Sequence, residues 1–164
     1  MERRTILKAG LALGLGVLAK SLGLWPAQAK EAGRIMKITK TDEEWRKILT
    51  PEQYQVLRKA ATERSFTNKY HDHKAKGTYQ CAGCELPLFS SDHKFDSGTG
   101  WPSFWQPISP EVIGTKTDFH LILPRTEVHC ARCDGHQGHV FDDGPPPTGL
   151  RYCINSAALK FVPT

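Results

Sequence analysis

The chain has 164 residues, of which 39% are apolar, 24% charged and 9% aromatic. That suits one globular domain with a tail, and it excludes a disordered, collagen-like or polytopic membrane chain. The formal net charge is +5, but residues 1–29 alone carry Arg3, Arg4, Lys8 and Lys20 against Glu2, and residues 30–164 hold 18 basic and 16 acidic side chains, too even a balance for a nucleic-acid footprint.

In chain order, the N-terminus reads first as an address. Arg3-Arg4 precede Ile6-Leu7-Lys8; an 11-residue run of Ala, Gly, Leu and Val follows from Ala9 to Ala19, then Trp25-Pro26 and Ala27-Gln28-Ala29. A charged start, a short apolar stretch and small residues at an A-x-A site are the parts of a secretory signal. The run is too short to cross a hydrocarbon core of ~30 Å as a helix. The paired arginines resemble a twin-arginine export signal, with Ile6 where that pattern usually has Phe. The expectation is a signal peptide over 1–29, cleavage after Ala29, an exported periplasmic protein, and no stable membrane insertion after cleavage. The competing reading is an uncleaved anchor.

Residues 30–40 read as a linker and 41–164 as the domain. Thr41 and Glu44 form a capping box, with Trp45, Ile48 and Leu49 following on one helical face. Thr50-Pro51-Glu52-Gln53 repeats the logic with Pro51 at the first helical position, and Tyr54, Leu57 and Ala61 continue at helical spacing. Two short helices therefore precede Phe66. From Gly77 onward, short apolar or β-branched stretches alternate with Gly, Pro, Ser and Asp: 78–80, 86–89, 103–105, 112–115, 119–123, 127–129, 139–141, 151–154 and 159–162. That rhythm predicts an antiparallel β domain behind short helices, mainly β in an α+β arrangement. Gly144-Pro145-Pro146-Pro147-Thr148-Gly149 is a stiff turn no strand can cross.

Cys81-Ala82-Gly83-Cys84 and Cys130-Ala131-Arg132-Cys133 are two C-x-x-C pairs. Four thiolates so paired fit a closed, tetrahedral structural zinc site with Cys81, Cys84, Cys130 and Cys133 as ligands. The rivals are two disulfides, which an exported chain permits, and dithiol redox pairs. The fifth cysteine, Cys153, is then a lone thiol. On a strand, Arg151, Cys153 and Asn155 share one face, and a guanidinium beside the thiol favours thiolate. An inert core cysteine is the alternative. His136 and His139, in Gly135-His136-Gln137-Gly138-His139, offer imidazoles suited to proton transfer, unless they are ordinary surface histidines. Trp101, in Ser97-Gly98-Thr99-Gly100-Trp101-Pro102-Ser103-Phe104, is either core filling or one wall of a ligand pocket.

Together the two cysteine pairs, SGTGWPSF, GHQGHVFDDGP and TGLRYCINSAAL resemble the methionine-R-sulfoxide reductases, from about Asp42 to Phe161. The resemblance implies two antiparallel sheets in a tent- or sandwich-like arrangement with helices alongside. It implies Cys153 as nucleophile, His136, His139 and Asn155 around the sulfoxide oxygen, and Trp101 against the substrate methyl group. Phe141 and Arg151 are further candidates for substrate contact. The implied reaction reduces methionine-R-sulfoxide, in peptides, proteins or free, through a sulfenic acid on Cys153. Many members carry a resolving cysteine where this chain has Thr99, so the expected reductant is an external small thiol or a thioredoxin-like protein, unless a zinc cysteine serves. A monomer is expected. A Cys-His-Asn hydrolase and a non-catalytic zinc-binding interaction module are the competing functions.

Overall fold

A computed structural model describes residues 35–119 and 123–164; the expected signal peptide lies outside the described residues. Both capping boxes form. Helix α1, Asp42–Ile48, starts from Thr41, whose hydroxyl accepts from the Glu44 backbone while the Glu44 carboxylate accepts from Thr41 N–H. Helix α2, Pro51–Lys59, starts from Thr50 with Gln53 in the reciprocal role. Trp45, Leu49, Tyr54, Val56 and Leu57 are buried, but Ile48 is exposed, because the helix ends there. Ile35 and Ile38 pack on the core and Ile38 N–H donates to Arg132 O at 2.7 Å, so half of the expected linker is docked on the domain.

Among the described residues nine strands follow: β1 Gly77–Cys81, β2 Pro87–Ser90, β3 Lys94–Phe95, β4 Ser103–Phe104, β5 Ile113–Asp118, β6 Arg125–Cys130, β7 His136–Phe141, β8 Arg151–Ile154 and β9 Leu159–Pro163. They form two sheets, β2-β1-β9 and β3-β4-β8-β7-β6-β5. All pairings are antiparallel. Aromatic side chains of both sheets make the core between them. Phe89 stacks on Phe104 at 4.5 Å between centroids and Tyr79 meets Phe104 edge-on at 5.1 Å. Tyr79, buried there, has its phenol pushed up to about 12 by desolvation.

One expectation needs correction, and another lies mostly outside the described residues. Of the strand read over 119–123, residues 120–122 are not among the described residues; β5 ends at Asp118, paired with Arg125, and Phe119 and Leu123 are exposed. Asn155 does not continue β8. It stands at the N-cap of a 3-10 turn, Ser156–Ala158, with extended backbone.

Candidate active site and metal centre

Register builds the site. Ser103, Cys153, His139, Glu127 and Lys116 are direct cross-strand partners along β4, β8, β7, β6 and β5. Direct partners share a face, with Cβ atoms about 4.5–5.5 Å apart. Two residues along the strands, the same face carries Arg151 opposite Phe141, and Arg125 opposite Asp118. Strict alternation would send His136 to the other face. A bulge prevents this: Val128 pairs with Gly138 but His129 with His136, which leaves Gln137 as the extra residue. His136 thus returns to the side of His139, their rings 5.4 Å apart.

A cleft of about 120 Å³ opens on this face, lined by Thr62, Trp101, Arg125, Gly138, His139, Phe141, Cys153, Ile154 and Asn155. Five expected residues therefore converge: Cys153, His139, Asn155, Trp101 and Phe141. His136 and Arg151 do not line the cleft. His136 stands behind His139, and Arg151 lies over the Phe141 ring at 4.5 Å and grips Asp143 through two bonds of 2.8 and 2.7 Å. Gly138 forms part of the floor because a Cβ there would sit 2.0 Å from the Cys153 carbonyl oxygen.

Each wall is held from behind. His139 Nε2 lies 2.7 Å from Asp118 Oδ2, and Asp118 also takes Arg125 at 2.8 Å. The carboxylate makes Nε2 the protonated nitrogen, a tautomer inferred from the bonding. Glu127 Oε1 lies 3.1 Å from His136 Nδ1, close but not aligned as a hydrogen bond. Burial depresses the basicity of His136, with Glu127 opposing. Glu63 organises the other side. Its carboxylate accepts from Ser156 and Ala157 N–H, its own N–H donates to Asn155 Oδ1 at 3.1 Å, and its carbonyl accepts from the Trp101 indole at 3.1 Å. Asn155 also donates to Gln137 O from its side chain. Asp118, Arg125, Glu127, Thr62 and Glu63 were not singled out from the sequence. The signal for three of them was there: acidic or basic residues alternating along β5 and β6 on the face opposite Val128.

Two opposing effects act on the Cys153 thiol: burial pushes it up, and the Arg151 guanidinium pulls it down, with burial the larger.

The remaining four cysteines gather at the far end of β1 and β6. The two turns repeat one design. Cys81 N–H donates to Leu86 O and Glu85 N–H to Cys81 O; Cys130 N–H donates to Gly135 O and Asp134 N–H to Cys130 O. Glu85 and Asp134, the residues after each pair, both adopt left-handed backbone at φ 59° and 56°. Their sulfurs all lie within 4.8 Å of one another, with Cys81–Cys133 at 3.6 Å and Cys84–Cys130 at 3.5 Å. Those distances exclude bonded disulfides, whose sulfurs are about 2.05 Å apart. Hydrogen bonds from Cys133, Cys81 and Cys84 pull the Cys130 thiol down. The cluster is arranged to hold a metal ion. Gln137 connects it to the cleft: its side-chain amide points at Cys81 Sγ, 3.5 Å away, and its carbonyl accepts from Asn155.

Residues 49–163 match the SelR domain family. The chain belongs to the MsrB family. Among its relatives, the Peptide methionine sulfoxide reductase MsrB of Pseudomonas putida is 61% identical over 130 residues, 79% of this chain and 97% of the relative. The protein of the same name from Thiobacillus denitrificans is 59% identical over 124 residues, 76% of this chain and 94% of the relative. That from Leptospira interrogans is 55% identical over 125 residues, 76% and 95%. The SelR match begins at residue 49, so residues 1–29 lie outside it.

Proposed function

We propose that the chain reduces methionine-R-sulfoxide in peptides and proteins to methionine, with Cys153 as nucleophile. The observation that carries this is the convergence of Cys153, His139, Asn155 and Trp101 on one cleft, in a chain of the MsrB family. A sulfoxide sulfur accepts a nucleophile only as its oxygen gains a proton. Cys153 attacks the sulfur while His139, held by Asp118, moves a proton to the oxygen. The proton inventory closes: the thiol brings one hydrogen, the sulfoxide one oxygen, and the products are a thioether and a Cys153 sulfenic acid. Trp101 provides an apolar wall for the methyl group. Asn155 and His136 support the oxygen side, His136 through the ring of His139, and Phe141 with Arg151 closes the rim. Nucleophile, proton donor and methyl wall fix three directions about a chiral sulfur, which admits one epimer.

Zinc is the metal that the cysteine cluster suits. Four thiolates with metal–sulfur bonds of ~2.3 Å span a tetrahedron of edges about 3.8 Å, close to the 3.5 and 3.6 Å found. Four protein ligands leave no open position, so the ion supplies fold and no chemistry. All five cysteines are then accounted for, and Cys153 has no free thiol beside it. Regeneration falls to an external small thiol or a thioredoxin-like protein. Export to the periplasm is supported by the Arg3-Arg4 signal and the Ala27–Ala29 site.

The test is turnover of separate R and S sulfoxide peptides by the protein from residue 30 onward, with dithiothreitol as electron source. Reduction of R alone, abolished in Cys153→Ser, is expected. Equal use of both epimers, or activity surviving Cys153→Ser, rejects the assignment.

A further inference from the structure

Three hydroxyls lead away from Cys153. Its Sγ lies 4.0 Å from Thr99 Oγ1; Thr99 Oγ1 lies 2.8 Å from Ser97 Oγ; Ser97 Oγ lies 2.7 Å from Ser103 Oγ; Ser103 Oγ lies 3.2 Å from the Trp101 carbonyl oxygen. Each hydroxyl has one proton to give, and a carbonyl has none. All the contacts are hydrogen bonds at once in only one sense. Ser103 donates to Trp101 O, so it accepts from Ser97. Ser97 has then used its proton and accepts from Thr99. Thr99 has used its own, and only its lone pairs are left for Cys153.

We propose that this chain of hydroxyls makes Thr99 an acceptor-only neighbour of Cys153, which favours the thiol over the thiolate at rest and shields a nucleophile that has no second thiol to rescue it. The inference rests on the reading of Cys153 as nucleophile. It is anchored by the fold: Ser103 is fully buried and is the direct cross-strand partner of Cys153, so the far end of the chain is fixed relative to the near end. A thiolate has no N–H or O–H donor from this side. Burial of Cys153 acts in the same direction. The charged groups around it are few. Arg151 pulls toward thiolate, with its own charge held by Asp143; His139 faces it from β7, backed by Asp118 and Arg125; Asp96, at the base of the loop, already accepts from Gly98 N–H.

The benefit is chemical. A thiolate attacks peroxide, the O–O bond breaks, and the products are a sulfenic acid and hydroxide. A second peroxide oxidises the sulfenic acid to sulfinic acid, which no ordinary thiol reverses. The first step scales with the thiolate fraction. Holding the thiol protonated until substrate fills the cleft slows that loss.

The test is the pH dependence of Cys153 alkylation by iodoacetamide, read by peptide mass spectrometry on the metal-loaded protein. Ser97→Ala takes away the acceptor of the Thr99 proton, which can then turn to the sulfur. The alkylation midpoint should fall by about one pH unit, ~10-fold more thiolate at a given pH below it. Peroxide inactivation should quicken alongside. Ser103→Ala should shift the midpoint the same way by releasing Ser97 to donate to Thr99, and it keeps the question open to test if one variant folds poorly. Ser97→Thr retains a hydroxyl and should restore the original midpoint. A midpoint unchanged or raised in a folded Ser97→Ala or Ser103→Ala protein overturns the proposal. Alkylation does not depend on sulfoxide turnover, so a protein inactive on sulfoxides that still shows the shift would reject the reductase reading, and with it the protective role, while the effect of the hydroxyl chain on the Cys153 thiol would hold.

Discussion

At the scale of the residue, the side chain that meets Cys153 from the loop is Thr99, its hydroxyl oxygen 4.0 Å from the sulfur. It sits between two glycines with left-handed backbone, Gly98 at φ 70° and Gly100 at φ 83°. Gly100 cannot easily be replaced, since a Cβ there would press into Phe66 at 2.6 Å. The loop therefore delivers side chain 99 to Cys153 whatever that side chain is. A hydroxyl there cannot close a stable bond to sulfur; a thiol could. In Thr99→Cys, turnover on sulfoxide without reductant should end in an internal disulfide with Cys153, if the loop lets the sulfurs close to about 2.05 Å. The parent chain should instead yield a dimedone adduct on Cys153. Mass spectrometry after one turnover distinguishes the two. A dimedone adduct that persists undiminished in Thr99→Cys would show that the loop is too rigid to bring the sulfurs together. A Cys153 disulfide to a metal-site cysteine in the parent, with metal released, would show that the cluster doubles as resolver.

At the scale of the element, β7 carries the most specific feature. Its bulge at Gln137 puts His136 and His139 on one face, aims the Gln137 amide at the metal cysteines, and packs Gly138 flat against β8. These demands meet at one backbone stretch, so Gly138→Ala should be among the harshest small substitutions in the chain. The added methyl would overlap the Cys153 carbonyl, and the strands must separate locally. Overpacking of this kind costs about 1–3 kcal/mol, and here it displaces Cys153 as well. Denaturant unfolding should show the loss of stability, and turnover should fall further than stability alone accounts for. An unchanged midpoint would mean that β7 and β8 can slide apart freely. Sequence periodicity could not reveal the bulge, because a bulge breaks the period that marks a strand. Two histidines three apart hinted at it only indirectly. The helices were legible because Thr41, Glu44, Thr50 and Gln53 act on their own neighbours, and the metal ligands because each C-x-x-C turn is likewise local. Asp118 and Glu127 were not, since what makes them important is the histidine that each meets across the sheet. The balance at Cys153 was half legible for the same reason: Arg151 is visible two residues away, whereas the burial that opposes it comes from distant chain.

At the scale of the whole molecule, the cysteine cluster ties the two sheets together. Cys81 ends β1 in the three-stranded sheet, and Cys130 ends β6 in the six-stranded one. The helices are fastened to the same point. Arg58 of α2 donates to Cys133 O at 2.9 Å, Arg132 donates to Cys84 O at 3.2 Å, and Trp45 and Leu57 pack on Gly83. A metal there closes the long loop between Cys84 and Cys130 and joins every layer of the fold. The magnitudes decide how much this matters. A structural zinc contributes about 10–16 kcal/mol of binding free energy at neutral pH, whereas a domain of this size is stable by roughly 5–15 kcal/mol in all. A zinc ion held here would thus be comparable to the whole margin, and its loss should unfold the domain rather than loosen one corner. Cys81→Ser, or chelation under mild heating, should therefore remove metal, cooperative unfolding and turnover together, although no cysteine of the cluster lines the cleft. Gln137 gives the shortest route for the effect, with its side chain on Cys81 and its carbonyl on Asn155. Elemental analysis, circular dichroism and turnover on the same sample would follow the three quantities. A Cys81→Ser protein that lost its metal but kept a sharp thermal transition at the parent temperature would show that the sheets hold each other without it, through the Tyr79, Phe89 and Phe104 contacts alone.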